Sequence, residues 1–130
     1  MHERKILFET RFERRDLDRG YAGRALRVDI SGQTITELPV DDEMKRLWTG
    51  GKGFDLWLTL REITGNTRWD SPENPICFSA GPLGGTTSFP GSGKTIVTAV
   101  SPLTNSMMDC NVGGYFGPFL KFAAFDAMML

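Results

Sequence analysis

Between Ala80 and Asp126 the chain places glycine, proline and small polar residues in successive blocks: AGPLGGT, FPGSGKT, SPLT and NVGGYFGPFLKFAAFD. A glycine has no side chain to hold a ligand away from the main chain. Gly81, Gly84, Gly85, Gly91, Gly93, Gly113, Gly114 and Gly117 are more numerous than ordinary turns require, which suggests close approach by a bound group. Gly91, Ser92 and Gly93 offer main-chain N–H donors beside the cation of Lys94. Asn111 offers an amide that both donates and accepts, next to the bare main chain of Gly113 and Gly114. This is binding chemistry. The lone histidine, His2, lies far from these loops, and no catalytic acid or base is assigned. Taken singly, Lys94 also reads as a solvated loop lysine, Asn111 as a turn residue tolerant of left-handed geometry, and each glycine block as a turn.

Two familiar motifs are approached and missed. SFPGSGKT, Ser88 to Thr95, has serine where the phosphate-binding loop needs its first glycine. It also leads into TIVTAV, a strand pattern, where that mechanism needs a helix N-terminus. The glycines from Gly50 in GGKGF lack the third glycine and the preceding strand of a dinucleotide fingerprint, and read as a break between two helices.

The elements that would carry the loops read as one α+β domain, a β-sheet with short helices. Residues Arg24 to Ile30 and Gln33 to Leu38 alternate apolar and polar about a Ser31–Gly32 turn and predict a β-hairpin ended by Pro39. Asp41 and Asp42 open a short helix through Met44, Leu47 and Trp48, with the carboxylates at its positive end. Gly50, Gly51 and Gly53 break it. Phe54 to Ile63 resumes a helical period, with Phe54, Leu56, Trp57, Leu58, Leu60 and Ile63 expected to be buried. Thr64 to Pro75 is polar loop, Ile76 to Ala80 and Thr95 to Val100 are expected strands, and a helix from about Phe116 to Phe125 precedes a strand at Ala127 to Leu130. Residues 1–19, with six Lys or Arg and five Asp or Glu, form a charged N-terminal extension. Leu7, Phe8 and Phe12 would line one face if it were helical; a solvated linker is the other reading. The domain proper is expected over 20–130. Its apolar last residues, AMML, look like an opening strand, so the domain is expected to be incomplete at its C-terminus.

At 130 residues and 40% hydrophobic the chain can build one modest core. Fifteen basic and sixteen acidic residues give a net charge of −1, which argues against nucleic acid or an anionic membrane as partner. No apolar run approaches the roughly 20 residues that cross a bilayer, and a cytoplasmic location is expected. Cys77 and Cys110 lack metal-cluster spacing and are expected to be buried free thiols.

Taken in order, GPLGGT (Gly81 to Thr86), PGSGK (Pro90 to Lys94), SPLT (Ser101 to Thr104) and NVGGYFGPFLKFAAFDA (Asn111 to Ala127) resemble the N-terminal domain of the tungsten-containing aldehyde:ferredoxin oxidoreductase family. GYAGRALRVDI from Gly20, TGGKG from Thr49 and DSPENP from Asp70 extend the resemblance to nearly everything after Arg19. It implies a bis-pyranopterin carrying tungsten or molybdenum, and a magnesium ion linking the pterin phosphates. A [4Fe–4S] cluster is expected in the remainder of the enzyme or a partner subunit, along with aldehyde as substrate and ferredoxin as electron acceptor. Gly93, Lys94, Asn111, Gly113 and Gly114 fall at the implied cofactor site, with Asn111 also near the metal. Self-association is left open, and a non-catalytic subunit or split-gene remnant of the same fold is the alternative. The chain departs from the family pattern at Lys94 (usually arginine), Phe119 (commonly glutamate) and Ala124 (commonly glycine). A lysine keeps the charge but loses the planar fork that grips phosphate.

Overall fold

The computed structural model describes residues 5–130; His2 lies outside them. The alternating segments form β1 (Arg24–Asp29) and β2 (Thr34–Pro39), paired antiparallel as predicted. Their turn is fastened by the Gly32 amide donating to Asp29 Oδ1 at 2.7 Å. Pro39 ends β2 as expected, and as its last residue still pairs with Arg24; β2 is an edge strand, where the missing donor leaves no ladder bond unmade.

Helix α1 (Asp42–Trp48) starts where expected, because the Asp41 carboxylate accepts from the Met44 amide at 2.8 Å. It ends in a γ-turn: the Gly50 amide reaches back to the Trp48 carbonyl at 2.6 Å, which forces Thr49 to φ 60, ψ −46. Helix α2 (Lys52–Glu62) begins before Phe54 and includes Gly53, whose missing Cβ would stand 2.4 Å from the Trp48 carbonyl oxygen. Its buried stripe is Phe54, Asp55, Leu58 and Thr59, and Leu60, expected inside, is 58% exposed. The 3.6-residue period turns Leu60 away and brings an aspartate and a threonine inward.

The remaining elements are β3 (Cys77–Ser79), β4 (Thr95–Val100), β5 (Met107–Val112), α3 (Phe116–Phe122) and β6 (Ala127–Met129). Strand β5 was not foreseen. Its MMDCNV sequence has weak alternation, and its pairing comes from folding back on β4. Helix α3 stops three residues short of Phe125. There the Phe125 amide bonds the Leu120 carbonyl and the Ala124 amide the Lys121 carbonyl, the two closures of a Schellman end, with Ala124 left-handed at φ 61.

The six strands form one sheet in the order β2-β1-β6-β3-β4-β5, with β1 and β6 parallel and every other pair antiparallel. This is the expected α+β class. Helix α2 covers one face across β4, β3 and β6. There Ala25, Val40, Met44, Phe54, Leu58, Cys77, Ala127 and Met129 make the core.

Within 5–19 no helix forms, so Leu7, Phe8 and Phe12 share no helical face. Phe12 packs edge-on against Phe125 at 5.3 Å, and the Arg24 guanidinium, 4.4 Å from the Phe125 ring, donates to the Glu13 carbonyl. Cys77 is buried, but Cys110, on edge strand β5, is exposed and corrects the expectation for that thiol. Among the described residues no helix is long and apolar enough to cross a membrane.

Candidate functional site

In the β4–β5 ladder Thr95 pairs with Val112 and Ile96 with Asn111. The same register carried outward sets Lys94 against Gly113 and Gly93 against Gly114. A Cβ on Gly113 would lie 3.9 Å from Lys94 Nζ, and one on Gly93 would meet the Gly114 carbonyl oxygen at 2.8 Å. The fold therefore gathers Gly93, Lys94, Asn111, Gly113 and Gly114 at one end of a single hairpin, with the Lys94 and Asn111 side chains in solvent.

The glycines of the loops divide into two kinds. Gly84, Gly85 and Gly117 are packed by their own chain. Their added Cβ atoms would meet Ala80 Cβ at 2.9 Å, Phe122 Cε1 at 3.1 Å and Thr95 Oγ1 at 2.6 Å respectively. These let the 81–85 turn lie close against α3 and α3 lie close against β4. Gly91 (φ 84) and Gly114 (φ 119) would have nothing within 4 Å of an added methyl, and Gly113 has only Lys94 Nζ. Here a side chain would fill free space beside a cation, so the residues present fit an anionic, heteroatom-rich group such as a pterin phosphate.

Beneath this end lie a partly exposed ion pair and one buried acid that sequence reasoning missed. Gly51, at the start of α2, would place a Cβ 3.4 Å from Ile96 Cγ1, so the helix end abuts the Ile96–Asn111 rung. Lys52 pairs with Asp109 at 2.6 Å. Asp55, fully buried, accepts from the Thr98 hydroxyl at 3.0 Å through Oδ2, while Oδ1 has no partner. Burial pushes its carboxyl up to about 7, the nearby Asp109 charge adds to this, and the Ser79 and Thr98 hydroxyls oppose it. The Ser79 proton is already given to the Gly51 carbonyl at 2.6 Å, so Thr98 supplies the effective opposition. The signal in the sequence was an acid inside the apolar run FDLWLTL.

On the other side of the hairpin, α3 is tied down by Lys121. Its ammonium, 1% exposed, donates to Asp126 Oδ1 and the Gly20 carbonyl. The two Asp126 oxygens also accept from the Ala22 and Gly23 amides at 2.9 and 2.8 Å. This clasp fixes the segment that follows Gly114, and its signal was a lysine five residues before an aspartate in LKFAAFD.

A groove of about 620 Å³ opens at the opposite end of the sheet, beside Arg27, Asp29, Glu62 and Leu130, and includes none of the hairpin residues. Among the described residues no three His, Cys, Asp or Glu side chains converge to hold a metal ion.

Residues 25–130 match the family described as aldehyde ferredoxin oxidoreductase, N-terminal domain. The chain belongs to that family. The tungsten-containing aldehyde ferredoxin oxidoreductase of Pyrococcus horikoshii is 42% identical over 111 residues, which are 85% of this chain and 18% of the relative. The enzyme of the same name from Thermococcus kodakarensis is 37% identical over the same shares. A Pyrococcus furiosus protein named aliphatic sulfonate oxidoreductase, WOR-like subunit, is 25% identical over 115 residues. Among solved structures, the active site complex BamBC of benzoyl coenzyme A reductase with 1,5-dienoyl-CoA superposes with a TM-score of 0.80 at 33% identity. The match covers 85% of this chain and 17% of that one. The chain thus spans under a fifth of the relatives it matches.

Proposed function

We propose that this chain is the cofactor-cradling N-terminal portion of a cytoplasmic bis-pyranopterin oxidoreductase that uses tungsten or molybdenum. The enzyme would convert aldehydes to carboxylic acids and pass the electrons through a [4Fe–4S] cluster, held in the remaining polypeptide, to ferredoxin. The supporting observation is the convergence of Lys94 with the open glycines Gly113 and Gly114 across one hairpin. When bound, the metallopterin supplies the two-electron oxidation. Lys94 sets a positive charge against phosphate, as a point charge in place of a fork. Gly113 and Gly114 would let main-chain N–H groups approach the pterin, Gly93 lets its strand lie close against the Gly114 carbonyl so that Lys94 is held beside them, and the Asn111 amide would donate and accept nearby and help hold magnesium. Asp55 stands behind that rung, shut off from solvent, and the Lys121–Asp126 clasp holds the outer edge.

The test is metal analysis of the chain co-purified with the rest of the enzyme. The proposal requires stoichiometric tungsten or molybdenum, reduced in Lys94→Ala and Asn111→Ala at unchanged thermal stability. A metal-free assembly would assign the chain to a non-catalytic role, and full metal content in both variants would remove those two residues from the site.

A further inference from the structure

Helix α2 carries two opposite charges of very different burial, Lys52 and Asp55, at a three-residue spacing that puts both side chains on one flank of a helix. Asp55 is fully buried and its Oδ1 has no partner. The Lys52 side chain is 56% exposed, and its ammonium sits on Asp109 Oδ1 of β5 at 2.6 Å. Among the described residues this is the ion pair that ties α2 to β5, and a half-exposed pair is readily given up. In the ladder Asp109 is opposite Thr98, and Thr98 donates to Asp55 Oδ2, so the two carboxylates meet one rung, one from the helix and one from the strand. Around Asp55 stand Cys77 and Ser79 from β3, Thr98 from β4, Asp109 from β5 and Lys52 from its own helix. The Cys77 thiol, pushed up to about 12 by burial, stays neutral, and the hydroxyls carry no charge. Lys52 is the cation of that set. While Asp55 is neutral, Asp109 alone claims it. Once Asp55 ionises, two like charges compete for one ammonium, and the carboxylate cut off from water, with an oxygen free, gains more from it. The flexible stem of lysine permits the move.

We propose that Lys52 is a proton-gated arm: it ties α2 to β5 through Asp109 while Asp55 is neutral, and turns to Asp55 Oδ1 when that carboxyl gives its proton to solvent, untying β5. The arm is closed in acid and opens as pH rises past about 7, where burial has moved the Asp55 carboxyl. Asn111, two residues beyond Asp109, points to the same side of the sheet, so opening the arm frees the strand end that carries it. That consequence for the candidate site rests on the cofactor reading; the arm itself does not.

Carbon-13 NMR of the full chain, titrated from about pH 5 to about pH 9, tests the arm. The Asp55 Cγ, Lys52 Cε and Asp109 Cγ signals should move together, with one midpoint at about 7. Lys52→Met should raise the Asp55 midpoint by about one pH unit, because the ionised carboxylate loses its cation. In Asp55→Asn the Lys52 and Asp109 signals should stay flat across the same range. An Asp55 step that leaves Lys52 and Asp109 unmoved, an unshifted midpoint in Lys52→Met, or a Lys52 step that survives Asp55→Asn would each overturn the proposal. Should Asp55→Asn fail to fold, the native titration and Lys52→Met still decide it. Metal content of the assembled enzyme is read separately, so a metal-free assembly with the three signals moving together sinks the cofactor reading and keeps the arm.

Discussion

Replacing Asp55 with asparagine should flatten the pH dependence of stability. In the folded chain the carboxyl holds its proton up to about pH 7, whereas in the unfolded chain it releases it near 3.8. Between those values the folded state binds the proton more strongly, so this group stabilises the fold most in acid, and the contribution is lost as pH rises through the window. Each pH unit inside the window is worth about 1.36 kcal/mol, so the loss between pH 5 and 8 is about 2.5 kcal/mol. For a domain of this length that corresponds to roughly 10 °C in melting temperature. Asparagine keeps the Thr98 bond to Oδ and cannot ionise, although its NH₂ takes the place of the unpartnered Oδ1, which lowers stability at all pH values by about 1–3 kcal/mol. The comparison is therefore one of slopes. Urea unfolding at pH 5, 6, 7 and 8 should give the native chain a decline that the Asp55→Asn variant lacks. Parallel curves, separated by a constant offset, would refute the account and mean that Asp55 titrates as an ordinary surface acid.

Four further outcomes follow from the geometry. Gly117→Ala, whose methyl would fall 2.6 Å from Thr95 Oγ1 and 3.1 Å from the Lys94 carbonyl, should cost about 1–3 kcal/mol by thermal melt. Gly113→Ala, with only Lys94 Nζ nearby at 3.9 Å, should leave the melt unchanged and lower the metal content of the assembled enzyme. Thr49→Gly relieves a β-branched residue held at φ 60 with its side chain exposed, and should raise stability by about 1 kcal/mol, partly offset by the freer unfolded chain; no gain would mean that the turn is unstrained. Lys121→Met removes one partner of a buried ion pair and should cost about 3–5 kcal/mol, seen as a lower urea midpoint.

Much of the fold was legible because local rules and tertiary structure agree. The β1–β2 alternation, the Asp41 cap and the apolar run of β4 all landed within a residue or two of expectation. Strand β5 was missed because Asp109, Cys110 and Asn111 have no strand preference of their own; β4 imposes their conformation. The glycine blocks named the right neighbourhood, but sequence could not separate the open Gly113 and Gly114 from the packed Gly84, Gly85 and Gly117, since that depends on which segment lies opposite. Asp55 and Lys121 were missed as buried groups for a related reason: Asp55 is held by Thr98, 43 residues on, and although Asp126 lies five residues from Lys121, the pair is enclosed by the Gly20 carbonyl and the Ala22 and Gly23 amides, about a hundred residues away.

Strand β6 joins β1 on one side and β3 on the other, and nothing else links the β1–β2 hairpin to the β3–β4–β5 meander within the sheet. Each half can form from nearby residues, but their union waits for Ala127–Met129, which closes a loop about a hundred residues long back to Ala25. On the ribosome the hairpin must therefore persist as a separate unit, its inner edge unpaired, until β6 emerges and acts as the keystone of the sheet.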